Sequence, residues 1–158
     1  MTSTVAGNED GSNLRVGVCV ASWNQSITDR LLDGALTRLA ALQVSDVTVL
    51  RVPGALELPV GARALAEAGH EAVVALGAVI KGDTDHYDIV VRESSSGIAA
   101  VSLTYGIPVT NGVLAVHRAQ DALDRSGPGD ANKGAEAAQA AVLAATALKA
   151  LTDRDESM

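Results

Sequence analysis

Residues 72–90 of this chain read AVVALGAVIKGDTDHYDIV, and this stretch decides what fold the sequence can form. The apolar run at residues 73–80 has no polar face, which is typical of a strand buried on both sides of a parallel sheet. A polar loop follows at residues 81–85, and a helical pattern begins at His86. The repeating apolar or small positions of that helix are Val90, Ser94, Ile98 and Val101. The stretch therefore predicts a strand, a loop and a helix, with an imidazole at the last junction.

His86 stands at a position that favours a functional site. In open α/β sheets, ligands bind just beyond the carboxyl ends of the strands. The first turn of a helix offers free N–H groups that suit a phosphate, and a histidine beside it can transfer protons near neutral pH. The pattern alone is equally compatible with a surface histidine that merely begins a helix.

Similar segments lie on both sides of this stretch. Apolar runs predict strands at residues 14–21, 47–52 and 107–114, and helical spacing follows each of them. The predicted helices include one over residues 27–39, one after Pro59 that carries Val60, Ala64, Leu65 and Ala68, a short one at 119–124, and a long one at 132–151. Alternating strands and helices predict βαβ units and a parallel sheet covered on both faces. Right-handed crossovers should then bring together residues 22–24, 54–57, 81–86 and 111–112.

Composition limits the class of protein. The chain has 158 residues, which fits one domain, predicted here at 14–151 between a flexible tail (1–13) and a frayed end (152–158). A net charge of −7 argues against nucleic acid as a partner. The single cysteine, Cys19, lies in an apolar strand and is expected to be a core residue. Without a long apolar run or a signal-peptide pattern, no membrane partner is expected and cytoplasmic localisation is the default expectation.

A few residues near the predicted strand ends are candidates for ligand binding. Trp23 and Asn24 could stack on a planar heterocycle and hydrogen-bond to it, although a tryptophan can equally pack at a helix start, and Ser22 or Asn24 could cap the first helix. Glu57 at a helix N-terminus is favoured by the dipole and could also accept from sugar hydroxyls. Cationic candidates for an anion site are Lys81, His86, Arg125 and Lys133. No metal-ligand spacing, Walker loop or GxGxxG motif occurs.

Six blocks, taken together, resemble one family. They are residues 21–24 (ASWN), 52–59 (VPGALELP), 77–88 (GAVIKGDTDHYD), 108–114 (PVTNGVL), 122–127 (ALDRSG) and 132–134 (NKG). In this order, over roughly residues 14–150, they resemble the lumazine synthase family of riboflavin biosynthesis. The resemblance implies a three-layer α/β/α sandwich with a flavodoxin-like, four-stranded parallel sheet. It also implies an enzyme that joins 5-amino-6-ribitylaminouracil to 3,4-dihydroxy-2-butanone 4-phosphate, releasing phosphate and water without a metal or organic cofactor.

The resemblance also assigns roles to residues. His86 would transfer protons, and Trp23 would stack on the pyrimidine where many members carry Phe. The remaining contacts to the pyrimidine and its ribityl chain would come from Asn24, Ala55, Leu56, Glu57, Val79, Ile80 and Lys81. The phosphate would be held by the backbone of Gly82, Asp83 and Thr84 and by Arg125 of a neighbouring subunit, with the charged pair Lys133 and Glu136 nearby.

The implied assembly is a homopentamer with sites shared between subunits. The resemblance leaves open a shell of twelve pentamers and an association with riboflavin synthase. Two departures bear on this: Asn111 stands where many members have a Phe that reaches the neighbour's site, and the loop SGPGDAN (126–132) differs from that of shell-forming members.

Two other functions stay open on the sequence alone. One is a flavodoxin-like binding module that holds a flavin or lumazine without turnover, and the other is a shell protein whose site has lost activity. His86 together with Arg125 favours the enzyme, because a protein that only binds needs no proton shuttle.

Overall fold

A sheet of four parallel strands in the order β2-β1-β3-β4 forms the centre of the fold. The computed structural model describes residues 1–157. Its strands are β1 (Arg15–Ala21), β2 (Asp46–Val52), β3 (Ala72–Ile80) and β4 (Val109–Val116). Residues 72–78 of β3 are buried between β1 and β4, which confirms the prediction of a strand covered on both faces.

Helices follow the strands close to the predicted positions. They are α1 (Gln25–Ala41), a 3-10 turn (Ala55–Glu57), α2 (Leu58–Glu67), α3 (His86–Tyr105), α4 (Ala119–Asp124) and α5 (Lys133–Glu156). The buried positions of α3 are the four that the sequence pattern predicted, Val90, Ser94, Ile98 and Val101. No helix within residues 1–157 combines the length and apolar character that a membrane crossing needs.

The core lies in two layers, one on each face of the sheet. Helices α1, α4 and α5 cover one face, where they meet Val16, Val18 and Val20 of β1. Helices α2 and α3 cover the other face, where Cys19 and Ala21 of the same strand point. This alternation along β1 follows from the two-residue period of a strand. The structure confirms a three-layer α/β/α sandwich.

Two sequence expectations about helix faces and strand ends were wrong. The predicted apolar face of α2 included Val60, Ala64 and Ala68, but Val60 is largely exposed and the buried residues are Leu58, Gly61, Ala62 and Leu65. Strand β4 begins later than predicted, at Val109, and continues past Leu114 to Val116. Its residues pair with β3 along this whole length, from Val109 opposite Val73 to Val116 opposite Ile80.

The terminal segments contact the body of the protein. Asn8 donates its backbone N–H to Thr146 Oγ1 of α5 at 2.9 Å, and Gly11 donates to the carbonyl of Leu42 at 2.7 Å. Flexibility of residues 1–13 stays a prediction. At the other end, α5 continues to Glu156, beyond the predicted end at residue 151, and Met158 lies outside the described residues.

Candidate active site

Three chain segments at the carboxyl ends of β1, β2 and β3 enclose a cleft of about 350 Å³. Strands β1 and β3 are neighbours, but α1 leaves β1 toward one face of the sheet and α3 leaves β3 toward the other. A crevice opens where the chain diverges in this way, and ligands of α/β proteins bind at such points. The lining residues are Ala21, Trp23, Asn24, Gly54, Ala55, Leu56, Glu57, Ala78, Val79, Ile80, His86 and Val90.

Trp23 forms one wall of the cleft and is 67% exposed. Its backbone N–H donates to the carbonyl of Pro53 at 2.9 Å, which ties the end of β1 to the segment after β2. A methyl group at Gly54 would overlap the indole ring, so the glycine is what allows the ring to lie against that segment. The indole therefore offers a flat surface to a planar ligand.

Asn24 holds the junction between β1 and α1. It adopts a left-handed backbone conformation with φ of 60°, which asparagine tolerates better than most residues. The sequence suggested that its side chain could cap α1, but no such cap forms. Instead, Nδ2 donates to the carbonyl of Ala78 on β3 at 2.8 Å. The carbonyl oxygen Oδ1 is left to accept from a ligand.

The 3-10 turn at Ala55–Glu57 holds the side chain of Glu57 in position. Its Oε1 accepts from the backbone N–H of Gly54 at 2.9 Å, a capping-box contact across the 3-10 turn. This bond holds the carboxylate beside Trp23 at the cleft, and the second carboxylate oxygen remains available to hydroxyl groups.

His86 is exposed at the mouth of the cleft, where it begins α3. Its backbone N–H donates to Thr84 Oγ1 at 3.3 Å. The loop residues Lys81, Gly82, Asp83 and Thr84 are exposed beside it but do not line the cleft. The backbone N–H of Lys81 already donates to the carbonyl of Val116 at 2.9 Å, so contacts from this region to a ligand have to use other groups.

A second group of predicted residues lies elsewhere on the same chain. Arg125, Lys133 and Glu136 line a separate cavity of about 540 Å³ beside residues 113–116 of β4. Lys133 Nζ and Glu136 Oε1 are 3.4 Å apart. Arg125 donates through Nη1 to the carbonyl of Asp121 at 2.9 Å. Hydrogen bonds from Arg118 hold the pKa of that aspartate below its ordinary value, so Asp121 stays anionic beside Arg125.

Asn111 does not lie at a strand end, contrary to the expectation that residues 111–112 would join the rim. It pairs with Ala75 in the middle of β4, since the strand continues to Val116. Its Oδ1 accepts from the N–H of Val113 at 2.9 Å, and its Nδ2 lies 3.4 Å from Ser95 Oγ on α3. It lines neither of the two cavities.

One cluster near the site escaped sequence reasoning. The rings of Tyr87 and His117 meet edge to face with centroids 5.8 Å apart, and Lys81 Nζ lies 5.9 Å from the centre of the Tyr87 ring. His117 directly follows the true end of β4. Placing that strand end correctly would have identified it.

Comparison with known proteins agrees with this arrangement. The family model for 6,7-dimethyl-8-ribityllumazine synthase matches residues 13–149. Proteins of that name from Mycobacterium sp. (strain KMS) and Kineococcus radiotolerans are each 49% identical, over 92% and 89% of this chain and 91% and 88% of their own length. One from Edwardsiella ictaluri is 45% identical over 94% of this chain and 97% of its own.

Proposed function

The chain belongs to the 6,7-dimethyl-8-ribityllumazine synthase family, and from that premise we propose how its residues divide the work of the reaction. The protein is a transferase of riboflavin biosynthesis that condenses 5-amino-6-ribitylaminouracil with 3,4-dihydroxy-2-butanone 4-phosphate, releasing phosphate and water. The observation that carries the proposal is the cleft that brings Trp23, Glu57 and His86 together at the divergence of β1 and β3.

The pyrimidine substrate occupies this cleft in our proposal. The exposed face of Trp23 stacks on the heterocycle, and the ends of Val79 and Ile80 lie along its edge. Asn24 and Glu57 each have an oxygen free to meet the ribityl hydroxyls, since their other polar atoms are bound to Ala78 and Gly54. Those internal bonds fix both side chains before the substrate arrives, which lowers the ordering cost of binding. Ala55 and Leu56 complete the wall.

His86 shuttles protons in our proposal. The reaction requires an aryl amine to form an imine with a ketone, and phosphate to be eliminated, so protons must move at several atoms. A general acid-base residue contributes about 10²–10⁴-fold, and alignment of two reactants can contribute up to about 7–11 kcal/mol. His86 has the position for this role because it lies at the open end of the cleft that holds the amine.

The phosphate binds on the loop side of His86 in our proposal. The backbone of Gly82, Asp83 and Thr84 supplies N–H groups from the exposed loop. Arg125 supplies the guanidinium, with Lys133 and Glu136 beside it. Oriented N–H groups and a cation stabilise the charge on a departing phosphate.

The roles proposed for these residues require a second copy of the chain. Arg125 and Asn111 lie outside the cleft of their own chain, so in our proposal they complete the cleft of a neighbour. Large apolar side chains are left exposed on the adjoining 3-10 turn, α2 and α3, namely Leu56, Val60, Ile89 and Leu103. Apolar surface left uncovered on adjoining elements favours an interface. A closed ring would cover them in each subunit, and the family resemblance supplies the number five.

Whether pentamers assemble further depends on residues 126–132. The chain between Arg125 and Lys133 forms a short turn held against α1, and its length is compatible with a shell of twelve pentamers. Its residues Pro128 and Asp130 depart from the pattern of shell-forming members. We propose the pentamer as the unit that carries activity and the shell as an additional assembly.

The test is turnover by the purified protein with both substrates present. The product is followed by the absorbance of the lumazine, with the uncatalysed condensation as the blank. A rate well above the blank is expected. Binding of the pyrimidine or of riboflavin with no acceleration would instead show a binding module, and the proposed roles of His86 and Arg125 would then be wrong.

A further inference from the structure

The connection between Arg125 and Lys133 closes on itself. The backbone N–H of Lys133 donates to the carbonyl of Arg125 at 2.8 Å. This bond connects the backbones of the two cationic residues directly, although residues 126–132 separate them along the chain. Whatever fixes the ends of this loop therefore fixes both cations together.

Asn132 holds the loop from inside. It is 2% exposed, an unusual burial for an amide side chain. Its Nδ2 contacts three carbonyl oxygens, those of Gly127 at 2.9 Å, Ser126 at 3.1 Å and Arg30 at 3.2 Å, so its two hydrogens are shared among them. Its Oδ1 accepts from the N–H of Ala135 at 3.1 Å and so caps α5. One side chain thus joins the loop start, the helix start and α1.

Arg30 of α1 holds the same point from the other side. Its Nε donates to the carbonyl of Ser126 at 3.2 Å, and its Nη2 to the carbonyl of Leu123 at 3.4 Å. Both acceptors flank Arg125. The hydroxyl of the buried Ser126 donates in turn to the carbonyl of Ala122 in α4. The backbone around Arg125 is therefore anchored to α1 before any ligand binds.

We propose that Asn132 and Arg30 form a polar clasp that positions Arg125 and Lys133 for the phosphate of the butanone substrate. Neither clasp residue lines the cavity that contains Arg125 and Lys133, so they act through backbone geometry and are positioning residues. The inference rests on the proposed function of Arg125. It adds that phosphate affinity is set by α1, an element that does not reach the phosphate.

The physical reason is the geometry of the guanidinium. Arginine binds phosphate best through two parallel N–H donors, and this fit is lost when its backbone shifts. Displacements of about 1 Å in positioning elements can cost on the order of 10²-fold in rate. A loop without the clasp would hold its cations in many orientations and would pay that ordering cost at each binding event.

The experiment compares Arg30→Gln and Asn132→Asp with the control Arg38→Gln. Arg38 also extends from α1 to this loop, but it meets only the tip at Asp130 Oδ1, 2.6 Å away, and Gln139 of α5. For each variant, KM is measured separately for the two substrates, together with kcat and the inhibition constant of inorganic phosphate. We expect Arg30→Gln to raise KM for the butanone phosphate and the phosphate inhibition constant about tenfold. The KM for the pyrimidine is expected to change by less than about twofold, and Arg38→Gln to resemble the wild type.

Asn132→Asp preserves the cap of α5 but turns a donor toward three carbonyls into an acceptor, so its effect should be at least as large. Should it fail to fold, Arg30→Gln decides the matter, because Arg30 is only partly buried. An Arg30→Gln protein that matches Arg38→Gln, or one weakened equally for both substrates, would overturn the clasp.

Arg125→Ala distinguishes failure of the clasp from failure of the proposed function of Arg125. If it raises KM for the phosphate substrate while Arg30→Gln does not, only the clasp is wrong, whereas no effect of Arg125→Ala would overturn the proposed function itself.

Discussion

His86 is the residue on which the proposed chemistry depends most directly. We expect His86→Ala to slow turnover by about one to three orders of magnitude without abolishing it, because positioning of the substrates survives the loss of the proton shuttle. The measurement is kcat at pH 7. The matched control is His117→Ala, since His117 packs on Tyr87 and does not line the cleft. Equal losses in the two variants would show that His86 has no special role.

Burial lowers the reactivity of the Cys19 thiol. Burial raises the pKa of its thiol to about 12, so at pH 8 about one thiol in ten thousand (10 to the power 8 − 12) is the nucleophilic thiolate. We expect iodoacetamide at pH 8 to leave the folded protein unmodified over hours and to label it rapidly in urea, where the ordinary pKa returns. The readout is intact mass. Fast labelling under native conditions would show that β1 opens far more often than its burial suggests.

Individual site residues were predictable to different degrees. Trp23, Glu57 and His86 were found because parallel strands deliver their ends to one edge, and the structure brings all three to one cleft. Arg125 and Lys133 were candidates for an anion site by residue type alone, and only the resemblance gave them roles, because surface cations carry no local pattern that marks a function. The capping role suggested for Asn24 was wrong because its amide found a tertiary partner in Ala78, and a contact across the sheet has no signature in sequence.

Elements differ in how well their sequence determines them. The buried face of α3 was predicted in full because its four inward positions recur every three or four residues, which is the helical period. In α2 the exposed residues Val60 and Ala64 are as apolar as the buried Ala62, so periodicity could not select a face. In β4, residues 111–112 were expected at the rim, but they pair with Ala75 and Leu76 inside a strand that continues to Val116.

The contact between α1 and α5 gives a test at this scale. A methyl group at Gly134 would overlap the backbone carbonyl of Leu31, which cannot move without shifting α1. Replacing glycine by alanine in a helix ordinarily gains up to about 1 kcal/mol, but here overpacking should reverse the sign. We expect Gly134→Ala to lower the free energy of unfolding by about 1–3 kcal/mol.

The measurement is urea unfolding at one fixed protein concentration, since subunit association affects apparent stability. Gly127→Ala is the control, because a methyl group there would meet only Arg30 Nη2, at an ordinary 3.7 Å. A neutral or stabilising Gly134→Ala would show that α1 and α5 have room to separate.

Taken as a whole, the molecule leaves apolar side chains exposed to solvent, and our proposal covers them with neighbouring subunits. The sequence placed this surface on the alanine-rich α5, but the chain's own core buries Ala138 and Ala141 completely. Large apolar side chains are exposed on α2, α3 and α5, and the most exposed of them is Leu103 on α3. Ile89 and Leu103 of α3 are 45% and 86% exposed, and their separation of close to four turns places them on one helix face.

We expect sedimentation to show a pentamer at minimum, and Leu103→Asp to reduce both the assembly and the activity, because a buried charge without a partner opposes association. Leu151→Asp is the control, since Leu151 is also partly exposed but lies on α5, across the sheet from α3. A monomer or dimer with full activity would contradict the shared site. A pentamer without larger species would exclude only the shell.

Trp23, described above as a wall of the cleft, gives the protein a specific optical property. It is the only tryptophan in the sequence, and its 67% exposure in the single chain means that an isolated subunit should already emit at the long wavelengths of an indole in water. Unfolding of the core would then change the emission maximum little. A shift to shorter wavelength, or quenching by a stacked ring, would report only that something has covered the cleft, whether a ligand or a neighbouring subunit.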